Sequence, residues 1–135
     1  MKLFLDASAV VAMLGEEDGY EALAERAETH DMLLISAMAM WETVSGLCRS
    51  HRFAAEAARS QLQALIDEND VTVVPIGERE SEFALDAYVR FGKGNDPAGL
   101  NMGDCFAYAC AKANAAKLLY KGQDFDRTDL AWPNA

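Results

Sequence analysis

Short apolar runs alternate along the chain with longer segments in which apolar residues recur every three or four positions. The apolar runs, which predict strands, are Lys2–Leu5, Met32–Ser36, Val71–Ile76 and Lys117–Tyr120. The periodic segments, which predict helices, are Ser8–Leu14, Gly19–Thr29, Ala37–Arg49, Ala54–Asn69, Glu78–Phe91 and Gly103–Ala115. Alternating strands and helices are typical of α/β proteins with a mainly parallel sheet and right-handed connections, and we predict that class.

The segment Gly92–Asn101 fits neither pattern. It contains three glycines, one proline and two asparagines in ten residues, which is the composition of turns. Because it leads into the last predicted helix, we interpret it as a surface loop of the kind that often carries functional residues.

The length of 135 residues fits one domain, and we predict a single domain over residues 1–135. The longest charge-free stretches, Ala7–Gly15 and Met32–Trp41, are far shorter than the ~20 residues of a membrane-spanning helix, so we expect no membrane span. Asp6 interrupts the first apolar run too early for a secretory signal peptide.

Charge limits the kinds of partner. The chain has 12 Lys and Arg against 22 Asp and Glu, a net charge of −10. Both halves are acidic, which argues against broad adhesion to nucleic acid. A phosphate ligand would therefore need bound cations or a local basic rim.

The three cysteines, Cys48, Cys105 and Cys110, are an odd number in apolar surroundings. This predicts reduced, buried thiols in a cytoplasmic protein. His30 and His51 have no cysteine partners at zinc-site spacing, so we predict no zinc site.

Asp6 ends the first predicted strand, within the sequence FLDAS. Ligands of open α/β sheets bind outside the carboxyl ends of the strands. A carboxylate at a buried strand end is costly unless it is solvated, paired or bound to a metal. Asp6 could instead cap the following helix, but Ser8 could do so itself, which would leave Asp6 free for function.

Glu42 lies in the apolar sequence AMAMWETV. On a helix it shares one face with Met38, Ser45 and Arg49, so it is either half-buried at a cleft or part of a Glu42–Arg49 surface pair. The residue types alone leave both interpretations open.

Two further acids lie near strand ends. Asp104 would be the third residue of a helix capped by Asn101, where the helix dipole favours an acid with or without another role. Asp124 follows the fourth predicted strand and could equally be a loop acid that caps a turn. We interpret Asp126 and Asp129 as ordinary loop acids.

These four acids are expected to converge at one edge of the sheet. Carboxylates crowded together repel one another unless a hard divalent cation lies among them. Oxygen-only ligands select Mg²⁺ or Mn²⁺ over zinc, and phosphoester hydrolysis is the chemistry most often built on such a site.

The chain resembles the PIN-domain ribonucleases, specifically the VapC-type toxins of bacterial toxin–antitoxin pairs, over nearly its whole length. The likeness lies in LFLDASAVVAML, SAMAMWETVSGL and LNMGDCFAYACAKANAAKLLYKGQDFDRTDL. It implies a three-layer α/β/α sandwich with a mainly parallel four- or five-stranded sheet. It also implies a Mg²⁺-dependent endoribonuclease that cleaves structured RNA such as tRNA or rRNA.

The resemblance also implies roles for residues. Asp6, Glu42, Asp104 and Asp124 match the family's acidic quartet, with Asp6 and Asp104 as its principal metal ligands and Glu42 and Asp124 as possible ones. Ser8 matches the small hydroxyl residue that holds the site in place. The implied cofactor is Mg²⁺, for which Mn²⁺ may substitute.

Three other classes are alternatives. A phosphoacceptor receiver domain also has a late lysine, as Lys121 is, but needs paired acids after the first strand and an acid closing the third, where this chain has VVPIG. A haloacid-dehalogenase-type phosphatase needs an acid where Ser8 stands. A pure interaction module explains the apolar helices but not the four acids.

The resemblance implies a cognate antitoxin and a homodimer that forms hetero-tetramers or larger complexes with it. Two neighbouring helical patterns carry Trp41, Phe53, Leu62, Leu65 and Ile66, which predict an apolar groove for a partner helix unless they pack against each other.

An acidic chain that binds RNA needs a thin basic rim, not a basic face. The candidate RNA-binding residues are Arg90, Lys93, Lys121 and Arg127, with Arg49 and Arg52 as weaker candidates. Alternatively, Arg90 and Lys93 only solvate a helix end, where the dipole favours cations.

Overall fold

Four strands and six helices alternate along residues 1–132, which are the residues that this computed structural model describes. The strands are β1 (Lys2–Leu5), β2 (Met32–Ser36), β3 (Thr72–Val74) and β4 (Lys117–Leu119). The helices are α1 (Ala7–Leu14), α2 (Tyr20–Glu28), α3 (Ala37–His51), α4 (Ala55–Glu68), α5 (Glu78–Phe91) and α6 (Met102–Ala113). In the described part of the chain, no helix has both the length and the apolar character needed to cross a membrane.

The strands form one parallel sheet in the order β3-β2-β1-β4, which confirms the predicted class. The central strand β1 pairs on both sides, with Leu3 opposite Leu33 of β2 and Lys117 of β4. Leu3, Phe4 and Leu5 are at most 1% exposed. A strand covered on both faces must be apolar throughout, which explains the uninterrupted run.

The order of the strands separates the helices into two layers. The chain passes from β1 to β2 and on to β3 in one direction, then returns across the sheet to β4. With right-handed connections, α5 and α6 lie on the face opposite α1 to α4. The neighbouring strands β1 and β4 therefore form the point where the connections reverse, and ligands of open α/β sheets bind in the crevice at this point.

Helix α6 is the most buried of the helices. It packs against α5, β1 and β4, and the small residues Ala107, Ala109 and Ala111 permit this close approach. Tyr108, 2% exposed, donates its hydroxyl hydrogen bond to Asp129 Oδ1 at 2.7 Å. Lys112 bonds the other oxygen of Asp129 at 2.7 Å, so this carboxylate ties the C-terminal segment to α6.

Several predicted boundaries were wrong by a few residues. The predicted strand Val71–Ile76 shortens to Thr72–Val74, because Pro75 has no N–H for the ladder and the Val71 N–H bonds Ile66 O at the end of α4. Helix α3 runs on to His51 and ends where Arg52 adopts a left-handed conformation with φ 58°.

The segment Gly92–Asn101 is a closed loop. The Lys93 N–H donates to Leu100 O and the Leu100 N–H donates to Phe91 O, both at 2.9 Å. This closure brings Asn101 to the start of α6, which it caps. All three cysteines are free. Cys105 and Cys110 are buried as predicted, whereas Cys48 is only half-buried.

Candidate active site

Asp6 follows β1 directly and caps α1. Its Oδ2 accepts hydrogen bonds from the Ser8 backbone N–H at 3.0 Å and from the Ser8 hydroxyl at 2.5 Å. The expectation that Ser8 would cap the helix and leave Asp6 without a structural role is wrong, because Asp6 is the residue with the extended N-cap backbone. Asp6 is 6% exposed, and the second carboxylate oxygen is not needed for the cap.

The Ser8 hydroxyl joins the carboxyl ends of the neighbouring strands β1 and β4. It accepts a hydrogen bond from the Lys121 backbone N–H at 3.0 Å while donating to Asp6. Beyond Lys121 the chain turns at Gly122, whose φ of 95° lies in the left-handed region that favours glycine. Phe125, 1% exposed, anchors the turn against Tyr120, and the exposed Asp124 stands at the edge of the cleft described below.

Asp104 and Asn101 form a reciprocal cap at the start of α6. The Asp104 N–H donates to Asn101 Oδ1 at 2.9 Å, and the Asn101 N–H donates to Asp104 Oδ2 at 3.1 Å. The expected cap is therefore present. As with Asp6, one carboxylate oxygen serves the helix and the other is outside this contact.

Glu42 reaches from α3 to the start of α6. It is half-buried, and its carboxylate lies against Gly103, where a built Cβ atom would be only 2.0 Å from Glu42 Oε2. The alternative Glu42–Arg49 pair does not form, because Arg49 Nη1 donates instead to Ser45 Oγ at 3.3 Å.

A single open cleft of about 440 Å³ brings the four acids and Ser8 together. Its lining consists of Asp6, Ala7, Ser8, Val11, Glu17, Glu42, Gly46, Arg49, Ser50, Asp104, Lys121, Gly122 and Asp124. The cleft lies at the carboxyl ends of β1 and β4, where the strand order reverses.

Burial, with smaller contributions from neighbouring charges, raises the pKa values of three acids of the cleft. Burial, then the charges of Asp6 and Asp104, raise the pKa of Glu42 to about 7. Burial, then Asp6 and Asp124, raise the pKa of Asp104 to about 6 against the opposing hydrogen bond from Asn101. Burial raises the pKa of Asp6 as well, with a further contribution from Asp124, although its hydrogen bonds from Ser8 act in the opposite direction. These mutual effects are the signature of uncompensated negative charge.

The donor set fits a hydrated divalent cation. All four acids offer oxygen, which Mg²⁺ and Mn²⁺ prefer. Within residues 1–132, no three Asp, Glu, His or Cys side chains are already close enough together to hold a metal ion. Mg²⁺ usually keeps several waters and takes only one or two carboxylates, so a pair such as Asp6 and Asp104 would be enough to hold it.

The basic candidates separate into two groups. Lys121 and Arg49 line the cleft. Arg90 instead donates to the Tyr108 hydroxyl at 3.3 Å, and Lys93 lines a separate apolar pocket between α5 and α6. Arg127 and Arg52 are exposed, and neither lines the cleft among the described residues.

Sequence reasoning missed Glu17. This residue follows α1 and accepts hydrogen bonds from Lys121 Nζ at 2.7 Å and from His51 Nε2 at 2.6 Å. Its cationic neighbours lower the pKa of the Glu17 carboxyl. The three partners are separated by 34 and 104 positions in the chain, so no local pattern could have identified them.

Comparison with known proteins defines the class first. A family model described as the PIN domain matches residues 3–130. A VapC ribonuclease of Rhizobium meliloti (strain 1021) is 39% identical over 139 residues, which cover 94% of this chain and 98% of the relative. Ribonuclease VapC30 of Mycobacterium tuberculosis is 36% identical over 129 residues and 96% of each chain. This chain therefore belongs to the PIN-domain family and, within it, to the VapC ribonucleases, so it is an RNA-cleaving hydrolase.

Solved structures share the fold. VapC20 of Mycobacterium tuberculosis, described as a sarcin–ricin loop cleaving toxin, superposes with a TM-score of 0.70 at 20% identity over 92% of both chains. VapBC2 from Rickettsia felis, bound to a DNA fragment from their promoter, superposes with a TM-score of 0.73 at 16% identity over 97% of this chain. The likeness inferred from the three sequence stretches is thus confirmed.

The capping role of Asp6 predicts different effects for two substitutions. Asp6→Asn keeps an oxygen acceptor and should leave the free energy of unfolding near the wild-type value or above it, because like-charge repulsion is relieved. Asp6→Ala removes the cap and should lower the free energy of unfolding by about 1 kcal/mol. Chemical denaturation of both variants without metal tests this, and equal stabilities would contradict the assigned cap.

The raised pKa of Glu42 predicts a pH dependence of stability. Between the ordinary value of 4.5 and about 7, Glu42 is protonated in the folded chain and ionised in the unfolded one. Its contribution is complete below about pH 4.5 and is lost as the pH rises through about 7. Metal-free wild type should therefore lose ~1–2 kcal/mol relative to Glu42→Gln between pH 4 and pH 8. A constant difference across this range would show that Glu42 does not share the crowded charge.

Proposed function

We propose that the chain is the Mg²⁺-dependent endoribonuclease toxin of a toxin–antitoxin pair, acting through the cleft at β1 and β4. The observation that carries this is the meeting of four carboxylates from four separate segments in one cleft, with raised pKa values in three of them. We further propose that residues 1–135 act as one nuclease domain.

In this proposal Asp6 and Asp104 are the principal ligands of the cation, and Glu42 and Asp124 are the candidates for further ligands. A bound Mg²⁺ or Mn²⁺ supplies charge that stabilises the phosphoryl oxygens and lowers the pKa of a bound water. Asp6 and Asp104 are well suited to hold it, because each is fixed at a helix start by hydrogen bonds to one oxygen. Glu42 offers a carboxylate on the α3 side, where it can accept a hydrogen bond from an attacking water. Ser8 fixes the position of Asp6 and ties it to the strand end that carries Asp124.

The substrate in this proposal is a structured RNA, such as tRNA or rRNA, held by few cations. Lys121 and Arg49 are the two basic residues that line the cleft. In the free protein the Lys121 ammonium forms a salt bridge with the Glu17 carboxylate. These two cations can neutralise one or two phosphates next to the scissile bond, but they provide no wider contact with the RNA backbone.

The proposed partner is a small antitoxin whose helix lies between α3 and α4. Trp41 is 71% exposed and borders a groove with Met40, Val44 and Leu62. The predicted five-residue groove is only partly present, because Ile66 is 7% exposed in the core and Leu65 lines a different pocket beside α1 and α2. A basic tail on such a partner would be attracted to the acidic cleft.

A homodimer in the cytoplasm completes the proposal, with hetero-tetramers or larger complexes formed with the antitoxin. Leu85, Tyr88 and Val89 of α5 and Met102 of α6 are between 52% and 70% exposed. Leu85, Tyr88 and Met102 line an apolar pocket of about 340 Å³, and this exposed apolar surface favours burial against a second copy. The free cysteines are consistent with a reducing compartment.

Cleavage of total RNA by purified, antitoxin-free protein tests the activity. We expect new RNA ends with Mg²⁺ and none with EDTA, and the ends can be mapped by sequencing. Asp104→Asn, which keeps the helix cap but removes the charge, should cleave at least ~100-fold more slowly. The matched control is Asp126→Asn, an exposed acid that bonds the Tyr120 hydroxyl outside the cleft and should leave the rate unchanged. Wild-type cleavage by Asp104→Asn at saturating Mg²⁺ would contradict the site.

The basic rim predicts a small salt dependence. RNA affinity measured with Ca²⁺, which should occupy the site without supporting cleavage, should fall for Lys121→Met and for Arg49→Met. Each change should flatten the plot of log affinity against log salt by about one unit. Lys93→Met is the control, because Lys93 lines the separate apolar pocket. An effect of Lys93→Met with none at Lys121 or Arg49 would place the RNA path along the loop at 92–101.

A further inference from the structure

Gly103, the second residue of α6, is a glycine that the backbone does not require. It lies between Met102 and Asp104, is buried, and is absent from the residues with positive φ. Any L-amino acid could adopt its helical conformation. Glycine is a poorer helix former than alanine, so the backbone conformation gives no reason for a glycine at this position.

The reason lies across the cleft, in Glu42 of α3. A Cβ atom built on Gly103 would lie 2.0 Å from Glu42 Oε2, 2.7 Å from Cδ and 2.9 Å from Oε1. All three nearest atoms belong to this one carboxyl group. The Glu42 carboxylate therefore occupies the volume that any side chain at position 103 would need.

Close approach is not specific to Gly103, since a Cβ on Gly15 would lie 2.6 Å from His51 Nε2 and one on Gly92 would lie 2.3 Å from Tyr88 O, but it is not a general feature of glycine at a helix start. Gly77 caps α5 and also has a glutamate nearby, but a Cβ on Gly77 would lie 3.5 Å from Glu80 Oε1, an ordinary van der Waals distance. Both glycines stand at the start of a helix next to a glutamate, Gly77 as the cap residue of α5 and Gly103 as the second residue of α6. They differ in whether the carboxylate fills the missing side chain's place.

We propose that Gly103 is a positioning residue for Glu42: its missing side chain lets the Glu42 carboxylate lie against the first turn of α6, beside Asp104. The inference rests on the proposed ribonuclease function and extends it to a residue that carries no chemistry of its own. An added methyl group would push the carboxylate away from Asp104 and out of the common cleft.

The Gly103→Ala variant should keep its fold and lose its activity. The clash is with the end of a flexible side chain, which can rotate away, and alanine favours the helix. The melting temperature should therefore be unchanged or higher. The kcat for RNA cleavage should fall about as far as in Glu42→Gln, ~100-fold, with RNA affinity in Ca²⁺ within about twofold of wild type. Gly77→Ala, the matched control, should cleave at the wild-type rate.

A double-mutant cycle separates an action through Glu42 from a direct effect on the backbone or the substrate. In a Glu42→Ala background the space is empty, so adding Gly103→Ala should change the residual kcat by less than about threefold. Glu42→Asp, whose carboxylate is one methylene shorter, should likewise tolerate Gly103→Ala with little further loss. A full additional loss in either background, or wild-type cleavage by Gly103→Ala alone, would overturn the proposal.

Folding gives an independent measurement. If Gly103→Ala alone proves unstable, the double variant with Glu42→Ala should recover the melting temperature, and failure to recover it would overturn the proposal. If wild-type protein cleaves no RNA with Mg²⁺, the proposed function fails, but the coupling of the two substitutions in melting temperature still tests the contact between Gly103 and Glu42.

Discussion

The confinement of four carboxylates in one partly buried cleft is the constraint on which the rest of this structure depends. Glu42 and Asp104 have pKa values raised to about 7 and about 6, and Asp6 is shifted in the same direction. A fold selected only for stability would separate these groups or pair them with the basic residues. Instead the ammonium of Lys121 pairs with Glu17 and the guanidinium of Arg49 donates to Ser45, so neither is taken up by the four acids. In the proposed enzyme a bound cation would offset the remaining repulsion among the acids.

The sheet order explains how charges from distant segments reach one place. Asp6 and Asp124 follow neighbouring parallel strands, whose carboxyl ends share one edge. Glu42 and Asp104 come from helices on opposite faces of the sheet that meet above this edge. The Ser8 hydroxyl, bonded to both Asp6 and the Lys121 backbone, closes the junction between the two strands. Removal of this link would loosen the spacing of the acids before it affected the core.

Much of the architecture could be predicted from local patterns, because β1 is a buried apolar run, the other strands are short and largely apolar, and the helices have periodic apolar faces. The overextended strand at Val71–Ile76 shows where such reading fails: Pro75 ends the hydrogen-bond ladder although the apolar run continues. Asp6, Asp104 and Asp124 could be predicted because they stand at strand ends or at a helix start, whereas Glu42 was predicted from its apolar surroundings within α3. Glu17 was not, because its role depends on Lys121 and His51, which only the folded chain brings together. The same holds for Arg90, whose contact with Tyr108 separates it from the cleft.

The capping contacts of Asp6 and Asp104 have a consequence for how this protein can lose its activity. Both acids hold helix starts through one oxygen, and asparagine offers an equivalent oxygen without the charge. Asparagine codons differ from aspartate codons by a single base, so, if the proposed site is the active one, one transition at either position would yield a folded chain without ribonuclease activity. Substitutions that remove a harmful activity can therefore be selected without producing unfolded protein. A silenced copy would keep the surfaces that a partner recognises, and would compete with active copies for that partner.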